Sequence, residues 1–193
     1  ANSYYGNQQN LSELLSDNLD APYNNDDLNE VYIRQTIFFN GTVGNFYGNP
    51  YISIMRSNTI LENFDRIEDL SDENMLRFES EARFIRAINH YELVQLFAQP
   101  YGYTSDNSHL GITIRDRLSF DPLPRSTVQD VYNFVISDLV YAAENLPESN
   151  VINGIPYATS WSAKAMLARV YFQMNDFENA SLYAGEVIDQ GPF

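Results

Sequence analysis

An all-α scaffold of packed helices joined by long loops is the fold class this sequence predicts, and three observations predict it. A strong helical period runs from about residue 71 to 97, where Met75, Phe78, Ala82 and Ile85, joined by Phe84, Ile88, Tyr91 and Leu96, leave only a narrow polar face, so the helix should be mostly wrapped by protein. Further helical periods follow at about 51–64, 128–143, 159–174 and 177–190. Between them lie connections rich in Gly and Pro, the longest covering residues 98–125. With 193 residues, 44% hydrophobic and 14% aromatic, the chain can bury a core as one domain or a large part of one.

The first fifty residues are rich in Asn, Asp, Gly and Tyr, with short apolar runs such as Val31-Tyr32-Ile33 and Thr36-Ile37-Phe38-Phe39. They read as loops and short helices. Asn40-Gly41, Gly44-Asn45 and Gly48-Asn49-Pro50 supply residues that accept left-handed turns and stop helices, so a shaped, turn-rich backbone is expected there. Residues 1–50 are therefore expected to form a loop-rich segment and a candidate ligand rim. From Tyr51, Ile52, Ile54, Met55, Asn58, Ile60 and Leu61 give the first clear helix.

Ser71 offers an N-cap and Asp72 and Glu73 suit the positive end of the second helix dipole, while Pro100 stops that helix. Tyr101, Gly102, Tyr103 and Gly111 lie in the long connection that follows, which exceeds an ordinary helix hairpin. Ser126-Thr127-Val128-Gln129 reads as a capping box opening a third helix, with Val128, Val131, Tyr132, Val135, Ile136, Leu139 and Ala143 on its face and Pro147 closing it. A loop through Asn153-Gly154-Ile155-Pro156 leads to the fourth and fifth helices. There Leu167, Ala168, Tyr171, Phe177, Ala180 and Pro192 fall at the spacing of a tetratricopeptide unit, in which small residues let antiparallel helices pack closely. Lys164, where that repeat prefers Trp, and Ala184, where it prefers a large aromatic, mark a variant unit. Helices two and three could form another pair. One pair cannot bury its face alone, so a neighbour is required. Residues 51–193 are thus expected to form a tetratricopeptide-like helical domain.

Charge and composition exclude several classes. Twenty-six acids against eleven bases give a net charge of −15, which repels phosphate backbones and anionic lipid headgroups, so no nucleic-acid partner is expected. No cysteine is present, which removes disulfides and thiolate chemistry. No stretch approaches the roughly 18 apolar residues of a membrane helix. Ten of the eleven bases are Arg, which favours fixed, forked hydrogen bonds. Glu79 precedes Arg83 by one helical turn; a pair of that kind contributes only about 0.3–0.5 kcal/mol when exposed, and Arg83 and Arg86 are read as braces of the scaffold. His90 and His109 lie in different elements with no metal-ligand spacing, and His90 is read as a packed, hydrogen-bonded imidazole. No GxGxxG, Walker, GxSxG or kinase pattern occurs, and the carboxylates read as solvated acids and helix starts, so no catalytic residue, metal site or cofactor is expected.

The aromatic segments are more informative. Phe46-Tyr47-Gly48-Asn49-Pro50-Tyr51 and Tyr101-Gly102-Tyr103 place rings beside amides, and an aromatic face stacks on the apolar side of a pyranose while amides, Arg and Asp bond its hydroxyls. Half-buried tyrosines covering helix ends would have the same composition.

The order Glu81-Ala82-Arg83-Phe84-Ile85-Arg86-Ala87, running on through Tyr91-Glu92-Leu93-Val94-Gln95-Leu96-Phe97, resembles the central helix of the SusD/RagB family of outer-membrane nutrient-binding lipoproteins. Residues 51–61, 124–132, the Asp138-Leu139 and Ala142-Ala143 pairs, 162–171 and 175–180 resemble its further helices in order. The resemblance implies a SusD-like, tetratricopeptide-containing N-terminal part, and hence a fragment lacking the C-terminal loop-rich half and the lipid anchor through which membrane contact would be made. It implies non-catalytic capture of glycan nutrients at the cell surface and delivery to a SusC-like TonB-dependent outer-membrane transporter. Arg34, Phe46, Tyr47, Asn49 and Tyr51, followed by Tyr101 and Tyr103, are the candidate ligand contacts. The alternative is a tetratricopeptide-type protein-interaction scaffold that binds no sugar.

Overall fold

A computed structural model describes residues 7–21, 25–149, 151–152 and 154–192. The chain divides into two compact units, residues 1–53 and 54–193. Among the described residues the regular elements are seven α-helices, one short 3-10 turn (Phe64–Arg66) and one small hairpin: α1 (Asn7–Leu15), α2 (Asp26–Tyr32), α3 (Gly41–Leu61), α4 (Asp72–Phe97), α5 (Val128–Asn145), β1 (Val151–Ile152), β2 (Ile155–Pro156), α6 (Ser160–Gln173) and α7 (Phe177–Gln190). The all-α expectation holds.

In the first unit Leu11 and Leu14 of α1 meet Val31 of α2, and Val43 and Phe46 of α3 pack against that cluster. Residues 41–50 depart from the turn-rich backbone expected of them: they form the start of a helix that continues to Leu61. The reason is a local cap at Asn40 reinforced by a non-local one from Asp27. The Asn40 carbonyl oxygen Oδ1 accepts the Val43 N–H at 2.9 Å, and the Asp27 carboxylate accepts the Thr42 N–H at 3.1 Å. Two of the open N–H groups that begin any helix are thereby satisfied. Asn40 itself is held by donating to the Asp27 carbonyl at 2.9 Å and the Glu30 carboxylate at 2.8 Å. Neither Gly44 nor Gly48 has a positive φ. Pro50 lies inside the helix and removes one backbone bond without ending it.

In the second unit α4 packs on α5, α5 on α6 and α6 on α7. The pairing Arg86 to Asp138, His90 to Phe134 and Tyr91 to Tyr132 runs in opposite senses along α4 and α5, so the two are antiparallel. Lys164 to Glu186, Tyr171 to Tyr183 and Phe172 to Phe177 show the same of α6 and α7. The core runs through Leu93, Val135, Leu139, Leu167 and Val170, all fully buried, each contributing about 1.5–3 kcal/mol by its removal from water. Ala142 and Ala163, packed with Leu146, let α5 and α6 approach closely. The helix starts follow their caps: Ser71 accepts from Asn74, Thr127 from Asp130, Thr159 from Ser162 with a reciprocal bond, and Asp176 from Asn179. Lys164, in place of the repeat's Trp, bonds Glu186 at 2.8 Å and sits 4.7 Å from the centre of the Trp161 ring.

α4 is less enclosed than its pattern suggests. Leu76, Ile85 and Leu96 are exposed, while the stretch from Arg86 to Val94 is buried without interruption and includes charged and polar side chains.

Candidate functional site

The buried polar side chains of α4 organise the second unit. Arg86 is forked onto Asp138 of α5, with Nε to Oδ2 at 2.8 Å and Nη2 to Oδ1 at 2.9 Å. Its Nη1 donates to Asn58 Oδ1 and to the Asp116 carbonyl, each at 2.8 Å. Asp138 is 2% exposed, and Arg83, which bonds Glu79 at 2.9 Å and lies 4.2 Å from the Tyr141 ring centre, reaches the same carboxylate at 3.4 Å. The two arginines are braces, as their spacing predicts.

His90 is the packed imidazole expected. Its Nε2 accepts the Arg115 N–H at 3.1 Å, which leaves Nδ1 to carry the proton and donate to the Arg86 carbonyl at 2.8 Å. Burial, above all, lowers its pKa from 6.5 to about 4, with the Arg86 charge adding to the effect. His90 is therefore a neutral strut at pH 7. Through it, and through Asn58 Nδ2 donating to the Arg115 carbonyl at 3.0 Å, α3 and α4 hold the far side of the long connection.

The near side of that connection carries Tyr101 and Tyr103. Asn107, in the left-handed region at φ 54°, accepts the Gly102 N–H at 2.6 Å through Oδ1 and donates to Gln129 Oε1 at 3.3 Å. The Tyr101 hydroxyl donates to the same Gln129 oxygen at 3.0 Å, and its ring leans on Tyr132 at 4.9 Å. Tyr101 is half-buried, whereas Tyr103 is 64% exposed and edges against His109 at 5.4 Å. Gly102, at φ 87°, makes the turn that a side chain would strain. Arg125 closes the loop's base by donating to the Gly111, Leu110 and Phe97 carbonyls. Gly111 lets the chain approach closely there: an added Cβ would lie 3.1 Å from the Thr127 and Val128 backbone, tighter than an ordinary contact.

In the first unit four of the remaining candidates, Phe46, Tyr47, Asn49 and Tyr51, lie on α3, and Arg34 lies apart from them in the turn after α2. Tyr47 and Tyr51, one turn apart, stand with ring centres 5.1 Å apart and tilted by 56°. Tyr47 is exposed, Tyr51 and Asn49 are half-buried, and Phe46 belongs to the apolar cluster. Arg34, at φ 58°, turns its Nη2 onto the Leu15 carbonyl at 2.8 Å and both Asp17 oxygens at 3.1 Å, so its charge complements the C-terminal end of α1.

Sequence reasoning missed an open groove of about 550 Å³ bounded by α4, α6 and α7. Ala168, Ala180 and Ala184 line it together with Tyr91, Phe172 and Phe177. The available signal was Ala184, small where the repeat prefers a large aromatic. Among the described residues no group of three or more His, Cys, Asp or Glu could hold a metal, and no helix is long and apolar enough to cross a membrane.

Comparison with known proteins matches residues 2–172 to the SusD-like family described as starch-binding and associating with the outer membrane. SusD-like protein P2 of Formosa agariphila is 32% identical over 78% of this chain and 28% of its own length. A second SusD-like protein of that organism is 26% identical over 98% of this chain and 34% of its own. Among solved structures, a SusD superfamily protein of Bacteroides thetaiotaomicron superposes with a TM-score of 0.77 at 26% identity, covering 89% of this chain and 38% of that one. The chain thus spans about a quarter to two-fifths of the length of these relatives. It belongs to the SusD-like family.

Proposed function

We propose that this protein captures neutral glycans at the bacterial cell surface without cleaving them and passes them to a SusC-like TonB-dependent transporter, held at the outer membrane by a lipid anchor. The observation that carries this reading is the family match over residues 2–172, whose description is starch-binding and outer-membrane association. The chemistry of the exposed rings supports it. The paired rings of Tyr47 and Tyr51 on α3 are the stacking surface proposed for the first unit, with Asn49 on the same helix, and the exposed ring of Tyr103 is that proposed for the second; Phe46, packed in the apolar cluster, Arg34, turned onto the end of α1, and Tyr101, tied to Gln129, would frame these surfaces and not stack. Each offers a ring face to a pyranose and adjacent amide or hydroxyl groups to its hydroxyls. Neither patch needs a charge or a metal. Delivery to the transporter would follow from the helical frame packing on it. Affinity for a panel of neutral oligosaccharides, measured with Tyr47→Ala and Tyr103→Ala beside the unaltered protein, tests the reading; unchanged affinity in both variants overturns the assignment of these patches.

A further inference from the structure

Tyr103 stands in a turn whose backbone is tied down around it. Its N–H donates to the Pro100 carbonyl at 3.1 Å, the Gly102 N–H just before it donates to Asn107 Oδ1, and the Asn107 N–H returns to the Thr104 carbonyl at 3.2 Å. The carbonyls of Asn107 and His109 accept the Gln129 and Val128 N–H groups at 3.1 and 3.0 Å, which fastens the turn to the start of α5. His109, half-buried, then reaches both flanks of the turn with its side chain. Its Nε2 lies 3.2 Å from the Gln99 carbonyl, which can only accept, so Nε2 carries a proton. Its Nδ1 lies 2.9 Å from the Thr104 hydroxyl and, in the neutral ring, accepts from it.

Gln99 and Thr104 bracket Tyr103 in sequence, and the imidazole bonded to both meets the Tyr103 ring at 5.4 Å with the planes inclined by 65°. One side chain therefore pins the turn on both sides and walls the ring that the turn carries. A tyrosine on the surface otherwise turns about two side-chain bonds, and a ligand that stacks on it must stop that motion, which weakens binding relative to a ring already held in place. From this we infer that His109 is a positioning residue for glycan binding, acting through Tyr103 by holding its ring in the orientation on which a pyranose stacks. The inference rests on the glycan-capture reading and adds to it the residue that makes the Tyr103 surface rigid.

The test is calorimetric titration with neutral oligosaccharides, beginning with maltooligosaccharides, of the unaltered protein, His109→Ala, Thr104→Val, Tyr103→Ala and Tyr103→Phe, and of His109→Ala combined with each Tyr103 variant. Thermal melts verify that every variant folds. The expected result is affinity about threefold to tenfold weaker in His109→Ala, and a smaller loss in Thr104→Val, which removes one hydrogen bond to the imidazole and leaves both rings. In the Tyr103→Ala background His109→Ala should change nothing further, whereas Tyr103→Phe, which keeps the stacking face, should keep the full dependence on His109. An equal loss from His109→Ala with and without the Tyr103 ring would make His109 a brace of the loop alone and overturn the proposal. Tyr103-dependent binding that is indifferent to His109→Ala overturns the proposal while glycan capture stands. Binding unaffected by Tyr103→Ala, or no binding at all, overturns the proposal together with the assignment of the Tyr103 surface.

Discussion

Lowering the pH should unfasten the second unit through His90. The unfolded chain titrates this imidazole at its ordinary value of 6.5, while the folded protein resists protonation until about pH 4. Between those limits the unfolded state binds a proton that the folded state refuses, so stability is complete above pH 6.5 and drains away as the pH falls toward 4. The gap of about 2.5 pH units, at 1.36 kcal/mol per unit, is worth about 3 kcal/mol. Geometry explains the resistance: an Nε2 proton would face the Arg115 N–H at 3.1 Å, donor against donor, beside the Arg86 charge and under the Phe134 ring edge at 5.1 Å. Carboxylates add an acid dependence of their own, so the informative quantity is a difference. His90→Asn keeps an amide near the Arg86 carbonyl and cannot titrate. Urea unfolding at pH 7, 5.5 and 4 should show the variant less stable at pH 7, yet losing about 3 kcal/mol less than the unaltered protein on the way to pH 4. Parallel pH profiles for the two proteins would refute the reasoning.

Asp138→Asn should be far more damaging than its conservative appearance suggests, because it leaves the Arg86 guanidinium buried without its forked partner; a loss of about 3–5 kcal/mol is expected by chemical denaturation. Replacing both residues together, as Arg86→Met with Asp138→Leu, should recover much of that loss. Gly48→Ala should stabilise α3 by about 0.5–1 kcal/mol and raise the melting temperature, since its Cβ would meet nothing within 4 Å and the backbone is helical. Gly111→Ala should instead lower the melting temperature, the added Cβ pressing on the Thr127 and Val128 backbone at 3.1 Å.

Local signals carried the second unit well. The 177–190 period is α7, and the Ser71 cap opens α4 where expected, because caps and periodicity act within a turn or two of chain. Thr127, not Ser126, caps α5, within the segment that marked it. Residues 41–50 defeated the same reasoning. Asn40, Gly44, Gly48 and Pro50 each favour a turn in isolation, but Asp27 and the α1–α2 core, both distant in sequence, hold them helical. The aromatic candidates were found by composition, whereas their surroundings were not legible. That Arg34 would turn onto the end of α1, or that Tyr101 would share Gln129 with Asn107, depends on loop closure, which sequence does not display. The α4–α6–α7 groove was hidden for a different reason: its alanines are also the packing positions of the repeat, and only Ala184 departed from that pattern.

Glycan capture without turnover is tested most directly by titrating the protein with neutral oligosaccharides, starting with starch-derived maltooligosaccharides, and then analysing the recovered sugar by chromatography after prolonged incubation. Saturable binding that weakens several-fold in Tyr47→Ala or Tyr103→Ala, with every oligosaccharide recovered at its original length, is the expected result. Shortened products, or no affinity for any glycan in a folded protein that grips a protein partner instead, would contradict it.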